Sequence, residues 1–349
     1  MINPSGSPPT SDALLQPRTV IELVQRTFAI YRDHLPAFLL LAAVVFIPVT
    51  VVTALFGNSL VGAISFVGET PTLDPSVAGQ ICMYALIVMV LTVVQTAIFT
   101  CVSTYITSEA QFGRKLTLGQ AWNESSPLIS RLVIGYLIFY LAIFTITLVI
   151  TVASALCPLL IALLALNIYL SIVINALLGP VILLERSGSS AAILRSYVLG
   201  KSAFWRVFGM MMLVVLITFL IQSAIDLVAA LAVPTGSAAS GSPWIDALVS
   251  MVISIVTAPI APVAMTLLYY DIRVRGENLA PALQQIGGGA RPHQVAVPPN
   301  PPQLVSSQDW GNIAALVGIV LVMMLLLSGV AFTFFNLLVP GMGGLPSGF

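Results

Sequence analysis

The chain has 349 residues, is 58% hydrophobic and only 7% charged, and carries no formal net charge. Soluble globular domains hold about 25% charged residues, so this composition excludes a soluble fold, which would lack the polar groups to cover its surface. Electrical neutrality removes the global case for nucleic-acid binding.

Residues 1–16, MINPSGSPPTSDALLQ, are polar and rich in Pro and Ser, and read as a disordered cytoplasmic tail. They lack the apolar stretch of a signal peptide, so insertion is expected to use the first span. An amphipathic helix is predicted from Thr19 to Asp33. Val20, Ile21, Val24, Phe28 and Tyr31 share one face, and Thr19 with Glu22 makes a capping box. Such a helix suits the plane of the membrane interface.

Crossing a hydrocarbon layer takes about 20 apolar helical residues. The first span is predicted over about Ala37 to Phe56, and the second over about Val77 to Thr107. A second surface helix starts at Thr117, with Gln120 as its reciprocal cap, and is expected to end at Pro127. The third span follows from Leu132 to Leu156 and the fourth from Leu159 to Leu184. A third surface helix, Ser190 to Leu199, has Ser190 as its expected cap. The fifth and sixth spans cover Phe204 to Val233 and Trp244 to Tyr270. Residues 277–309 read as a Pro/Gly-rich cytoplasmic linker. A seventh span is predicted from Trp310 to Leu338, followed by a Gly-rich tail over 339–349. The membrane domain proper is thus expected over 17–276. The surface helices before the first, third and fifth spans make a loose repeat, from either duplication or convergent hairpin chemistry.

All 13 Lys and Arg residues fall in four groups, which the apolar segments separate in pairs. They are Arg18, Arg26 and Arg32; Arg114, Lys115 and Arg131; Arg186, Arg195, Lys201 and Arg206; and Arg273, Arg275 and Arg291. The alternate loops have none. Bases are retained in cytoplasmic loops, so the N-terminus is expected inside, in a multi-pass protein of the cell membrane. Trp122, Trp205, Trp244 and Trp310 all sit at predicted boundaries, where indole rings favour the meeting of apolar and polar media.

Chemistry is sparser. On the fourth span Asn167, Ser171 and Asn175 recur every four residues and share a face. With Gln95 and Gln222 they make a candidate intramembrane polar face, either a path for a ligand or plain interhelical hydrogen bonding. Asp226 and Asp246 lie toward the outer ends of their spans. Arg26, Arg32, Arg195, Lys201, Arg206, Arg273 and Arg275 are candidate contacts for anionic lipid head groups. Pro48, Pro180, Pro259 and Pro262 fall in spans and read first as plain packing features, with a hinge in the sixth at Pro259 and Pro262 as the alternative. Cys82, Cys101 and Cys157 make no metal-ligand spacing. Cys82 and Cys157 lie near outer helix ends, where a disulfide is one option. His34 and His293 form no nucleophile or metal pattern with other residues. Gly200-Lys201-Ser202 matches the end of a phosphate-binding loop, but Arg195 stands where that loop requires Gly. No catalytic residue, cofactor or metal is expected.

Three segments, RTVIELVQRTFAIYRDHLPAFLLL, ILRSYVLGKSAFWRVFGM and LLYYDIRVRGENL, resemble a bacterial membrane-domain family. It is the family labelled as the membrane domain of glycerophosphoryl diester phosphodiesterase. The marks are Tyr31-Arg32, Arg195-Ser196 followed by Phe204-Trp205-Arg206, and Tyr269-Tyr270-Asp271 with Arg273 and Arg275. The resemblance spans about Pro17 to Ala280. It implies a six-helix membrane domain to which some members attach a soluble phosphodiesterase barrel. Only a linker and one helix follow Ala280 here, so the enzymatic name does not carry over.

The expected architecture is an all-α polytopic bundle, with about seven transmembrane helices and three cytoplasmic amphipathic interfacial helices. The expected function is a non-enzymatic membrane scaffold or regulatory domain. Its partners would be the bilayer, anionic lipids, or a membrane or cytoplasmic protein, and not nucleic acid. The alternative is a transporter or lipid-translocating protein using the polar face of the fourth span. A membrane-associated phosphodiesterase is the third reading, and it lacks a His and carboxylate cluster to activate water.

Overall fold

A computed structural model describes residues 16–61, 65–67, 70–72, 75–114, 116–156, 163–232, 243–286, 291–298, 305–319 and 322. The helices in chain order are α1 (Val20–Asp33), α2 (Leu35–Val61), α3 (Pro75–Gln111), α4 (Leu118–Leu156) and α5 (Leu163–Leu184). They continue with α6 (Ser189–Ser202), α7 (Phe204–Ala232), α8 (Pro243–Thr257), α9 (Ile260–Glu277) and α10 (Leu279–Ile286). Residues 307–319 are also helical. Between α2 and α3, strands Ser65–Val67 and Thr70–Thr72 pair antiparallel, a short hairpin that the sequence pattern did not announce. The fold is otherwise the expected all-α bundle of a multi-pass membrane protein.

Among the described residues six segments are long and apolar enough to cross a membrane. They are Leu35–Leu55, Gly79–Gln111, Leu118–Ser154, Leu163–Leu184, Phe204–Val228 and Ala247–Glu277. Most of the expected seventh span lies outside the described residues, as do residues 1–15, the 339–349 tail, Cys157 and the Cys82 side chain.

Local signals explain the helix starts. Thr19 caps α1 through its hydroxyl, which accepts from the Glu22 N–H, while the Glu22 carboxylate accepts from the Thr19 N–H at 2.7 Å. Thr117 and Gln120 repeat the device at α4, with distances of 3.0 and 3.3 Å. Pro127 does not end a surface helix as expected: α4 runs unbroken from Leu118 to Leu156 and joins the second surface helix to the third span. Proline deprives the carbonyl four residues earlier, Asn123, of its helical donor. The Ser126 hydroxyl donates to that carbonyl instead, at 3.4 Å.

The cap expected at Ser190 is also corrected. Gly188 is the N-cap of α6 and makes no side-chain cap bond, because the helix begins at Ser189, whose hydroxyl donates to the Arg131 carbonyl at 2.7 Å. Nor is α6 a surface helix, since Ala192, Arg195, Ser196, Tyr197, Leu199 and Gly200 are buried. At Gly200 an added Cβ would lie 2.3 Å from the Val173 carbonyl oxygen on α5, so only glycine permits this approach. The Pro259–Pro262 pair does break the sixth span, into α8 and α9 at Ala258-Pro259.

The chain divides into two compact units, not along the expected boundaries of 17–276, 277–309 and 310–338. One comprises Met1–Ala142 with Ile172–Asn300, the other Ile143–Ser171 with Pro301–Phe349. In the first unit α9 is central and packs against α1, α3, α6 and α7, while α2 packs against α3 and α8. The expected linker contributes structure to this unit: α10 follows α9 directly, and Pro292–Gln294 forms a 3-10 turn. In the second unit the Tyr169 hydroxyl donates to the buried Asp309 carboxylate at 2.8 Å, and the Asn167 amide donates to the Thr147 hydroxyl at 2.6 Å. The Tyr169–Asp309 bond, absent from any local pattern, joins the fourth span to the end of the expected linker.

Candidate functional site

The charged end of the first unit is organised by α9. Helical spacing places Tyr269, Arg273 and Glu277 in one row, and Asp271 and Arg275 in a row on the opposite face. Each row has its own ionic cluster.

In the first cluster Arg273 bonds Glu277 one turn along, Nε to Oε2, at 2.8 Å, and lies 3.3 Å from Glu185. Arg195 of α6 completes the square, 3.2 Å from Glu185 and 2.7 Å from Glu277. The Tyr269 hydroxyl donates to Glu185 at 3.1 Å and accepts from Arg273 at 2.9 Å. Side-chain exposure is 0% for Arg273, 1% for Glu185 and 7% for Arg195. Two bases and two acids balance, so the buried charges compensate one another. Burial alone would lower the Arg195 pKa, but hydrogen bonds and charge from Glu277 and Glu185 outweigh it and raise the group above its ordinary value.

In the second cluster Asp271 accepts from the Arg18 backbone N–H at 2.8 Å, from Arg206 at 2.6 Å and from Arg275 at 3.2 Å. Arg206 and Arg275 also donate to the Arg18 carbonyl, at 2.6 and 2.9 Å. One carboxylate thereby ties the segment before α1 to α7 and α9. A third cluster joins Glu109 at the end of α3 with Arg114 at 2.7 Å and Arg291 at 3.5 Å. Arg291 also donates to Glu124 at 2.9 Å. Beside it, burial and the positive charges of Arg186 and Arg291 lower the His293 pKa.

These clusters correct part of the expected head-group layer. Arg195 and Arg273 are buried and turned onto carboxylates, because four mutually balancing charges escape the cost that any one would incur alone. Arg206 and Arg275 share Asp271 and are only partly exposed. Arg26 reaches the Ala110 carbonyl at 3.5 Å, and the Lys201 ammonium lies 5.2 Å from the Tyr197 ring centre. Arg32 is open, with 82% of its side chain exposed. Among the acidic partners, Asp271 stands out in the sequence only as one of the family marks, and Glu109, Glu124, Glu185 and Glu277 carry no motif. The four-residue spacings Asp271–Arg275 and Arg273–Glu277 were the one further visible signal.

The expected intramembrane polar face is not assembled as one path. Asn167 bonds Thr147, and Ser171 returns its hydroxyl to the Asn167 carbonyl at 2.8 Å. Gln222 is on an exposed face, donating to Asp226 at 2.9 Å. Gln95 lines a largely apolar groove of about 570 Å³ with Leu41, Val45, Leu91 and Trp122. Asn175 lines a different cavity, of about 420 Å³, with Thr96, Thr100, Tyr136, Tyr140 and Ser254. Shared helical spacing is a property of one helix, whereas each of these side chains meets a different neighbour.

Among the described residues no group of three or more His, Cys, Asp or Glu is placed to hold a metal ion. Cys101 is a buried free thiol. Comparison of the chain with family models, with curated proteins and with solved structures finds no match.

Proposed function

We propose that this chain is a non-enzymatic scaffold or regulatory protein of the cell membrane, with its N-terminus and braced charged end in the cytoplasm. The observation that supports this reading is the buried square of Glu185, Arg195, Arg273 and Glu277. It clamps α6 to the ends of α5 and α9, and breaking such a pair leaves an uncompensated buried charge. A part that must slide or rock in each cycle is poorly served by such a clamp, while a platform is well served. Arg32, Trp122 and Trp205 are exposed, and they are the groups offered to anionic lipid or to a protein partner. The resemblance to the phosphodiesterase-associated membrane domain belongs to the same proposal, since its Tyr269-Tyr270-Asp271 and Arg273 marks are the clustered residues of α9.

Spin labels at Ser190 and Gln285, on a Cys-free background in lipid nanodiscs, test the platform. A single narrow distance population is expected. Two populations that interconvert would favour the transporter reading, which Asn175 in its cavity supports. Replacing Asn167 and Asn175 with Leu would then abolish flux. For sidedness, a maleimide probe should reach Cys at position 190 only after permeabilisation, and labelling of intact cells would reverse the orientation.

A further inference from the structure

We infer that the cavity lined by Asn175 is a binding site for an uncharged, hydroxyl-bearing lipid that arrives from within the bilayer. The cavity holds about 420 Å³, within the range of small-molecule sites. It is lined by residues of α2, α3, α4, α5, α7, α8 and α9, every one of them within the first unit.

Its chemistry is selective. Among the described residues no Lys, Arg, His, Asp or Glu lines it, so a charged ligand would be desolvated without a counter-charge. Yet it is not a plain apolar void. The Asn175 carbonyl oxygen accepts from the Tyr140 hydroxyl at 3.3 Å. The Asn175 amide belongs to the lining, as do the hydroxyl-bearing Thr96 and Ser254. Two further acceptors come from proline. Pro180 and Pro262 have no N–H for the carbonyls four residues earlier, which belong to Ala176 and Ala258. Both alanines line the cavity. Residues that carry donors and acceptors thus line one space, which suits a hydroxyl that gives one bond and receives another. A pure hydrocarbon would offer them no partner.

The opening indicates the route. Val215 lines the cavity and is 52% exposed on α7, inside a membrane-spanning segment. A molecule dissolved in lipid reaches it sideways. Phe46, Phe99 and Met265 supply apolar walls for a chain. The ligand class is therefore a lipid with a neutral hydroxyl head, such as a long-chain alcohol. The site needs no motion of the clamped charged end and stands independently of the scaffold reading.

The test uses the full chain in phosphatidylcholine nanodiscs with three diazirine probes of equal chain length: hexadecanol, hexadecanoate and hexadecane. The alcohol is expected to label peptides of α5, α7 and α8 saturably, at least tenfold above the hydrocarbon, and to be displaced by excess hexadecanol. Asn175→Leu should lower that labelling about fivefold or more. Ser254→Leu should do the same if Asn175→Leu fails to fold. Gln222→Leu, outside the cavity, should leave it unchanged. Equal labelling by alcohol and hydrocarbon, non-saturable labelling spread over exposed residues such as Phe219, or equal capture of the carboxylate at neutral pH would each overturn the inference.

Discussion

The Arg195 guanidinium holds the Glu277 carboxylate at 2.7 Å across 82 residues of chain, with its Nε 3.2 Å from Glu185. Through this bridge α6 is fastened to the ends of both α5 and α9. Removing Arg195 would leave two carboxylates facing Arg273 alone. Arg195→Ala should therefore destabilise the protein by about 3–5 kcal/mol, as for other broken buried pairs. Thermal unfolding in detergent measures this. Arg32→Ala, at an exposed site, should change stability by less than about 0.5 kcal/mol.

Gly200 and Gly209 make a matched pair. A methyl at Gly200 would fall on the Val173 backbone, and one at Gly209 would meet nothing within 4 Å. Gly200→Ala should cost at least about 1–3 kcal/mol, since backbone must shift to admit it. Gly209→Ala should be neutral or stabilising by up to about 1 kcal/mol, because alanine is the better helix former. The same unfolding measurement separates them, and equal effects would contradict the α5–α6 packing.

Asp271 holds the segment before α1. Asp271→Asn keeps an acceptor for the Arg18 N–H but loses the charge that Arg206 and Arg275 share. Charged hydrogen bonds contribute about 1.5–3 kcal/mol each. Hydrogen exchange at residues 16–19 should accelerate about tenfold or more, while the core of α9 stays protected.

His293 predicts a pH dependence. Its folded pKa is depressed below the ordinary 6.5 by burial and by the charges of Arg186 and Arg291, with Glu124 opposing them. The folded segment therefore binds fewer protons than the released one. Its stability contribution is complete above pH 6.5 and is lost as pH falls through the lowered folded value. A nitroxide at exposed Val297 should become more mobile on acidification below pH 6.5. His293→Gln should flatten that change.

Alternating apolar length and one-sided charge made the six described spans readable, because the cost of burying a backbone or a base in hydrocarbon acts residue by residue. The Thr19–Glu22 and Thr117–Gln120 caps were readable for the same reason, each needing four consecutive residues. Pro127 does not end its helix because the Asn123 carbonyl that it frees finds a local donor in the Ser126 hydroxyl. Ser190 was misread because Ser189 was drawn to the Arg131 carbonyl, 58 residues away.

Sequence by itself determined that this chain carries segments long and apolar enough to cross a membrane and confines its bases to alternate loops between them. Tertiary structure alone decided what those bases do. Thirteen cations along a chain look alike, and beyond the Arg273–Glu277 spacing nothing local distinguishes Arg32 from Arg273. One is 82% exposed and the other not at all. The difference arises because folding brings Glu185 and Tyr269, 84 residues apart, into hydrogen-bond contact. Only a site so assembled compensates a buried guanidinium. The same holds for Asn175, whose place on a helical row was legible but whose cavity exists only where seven helices meet.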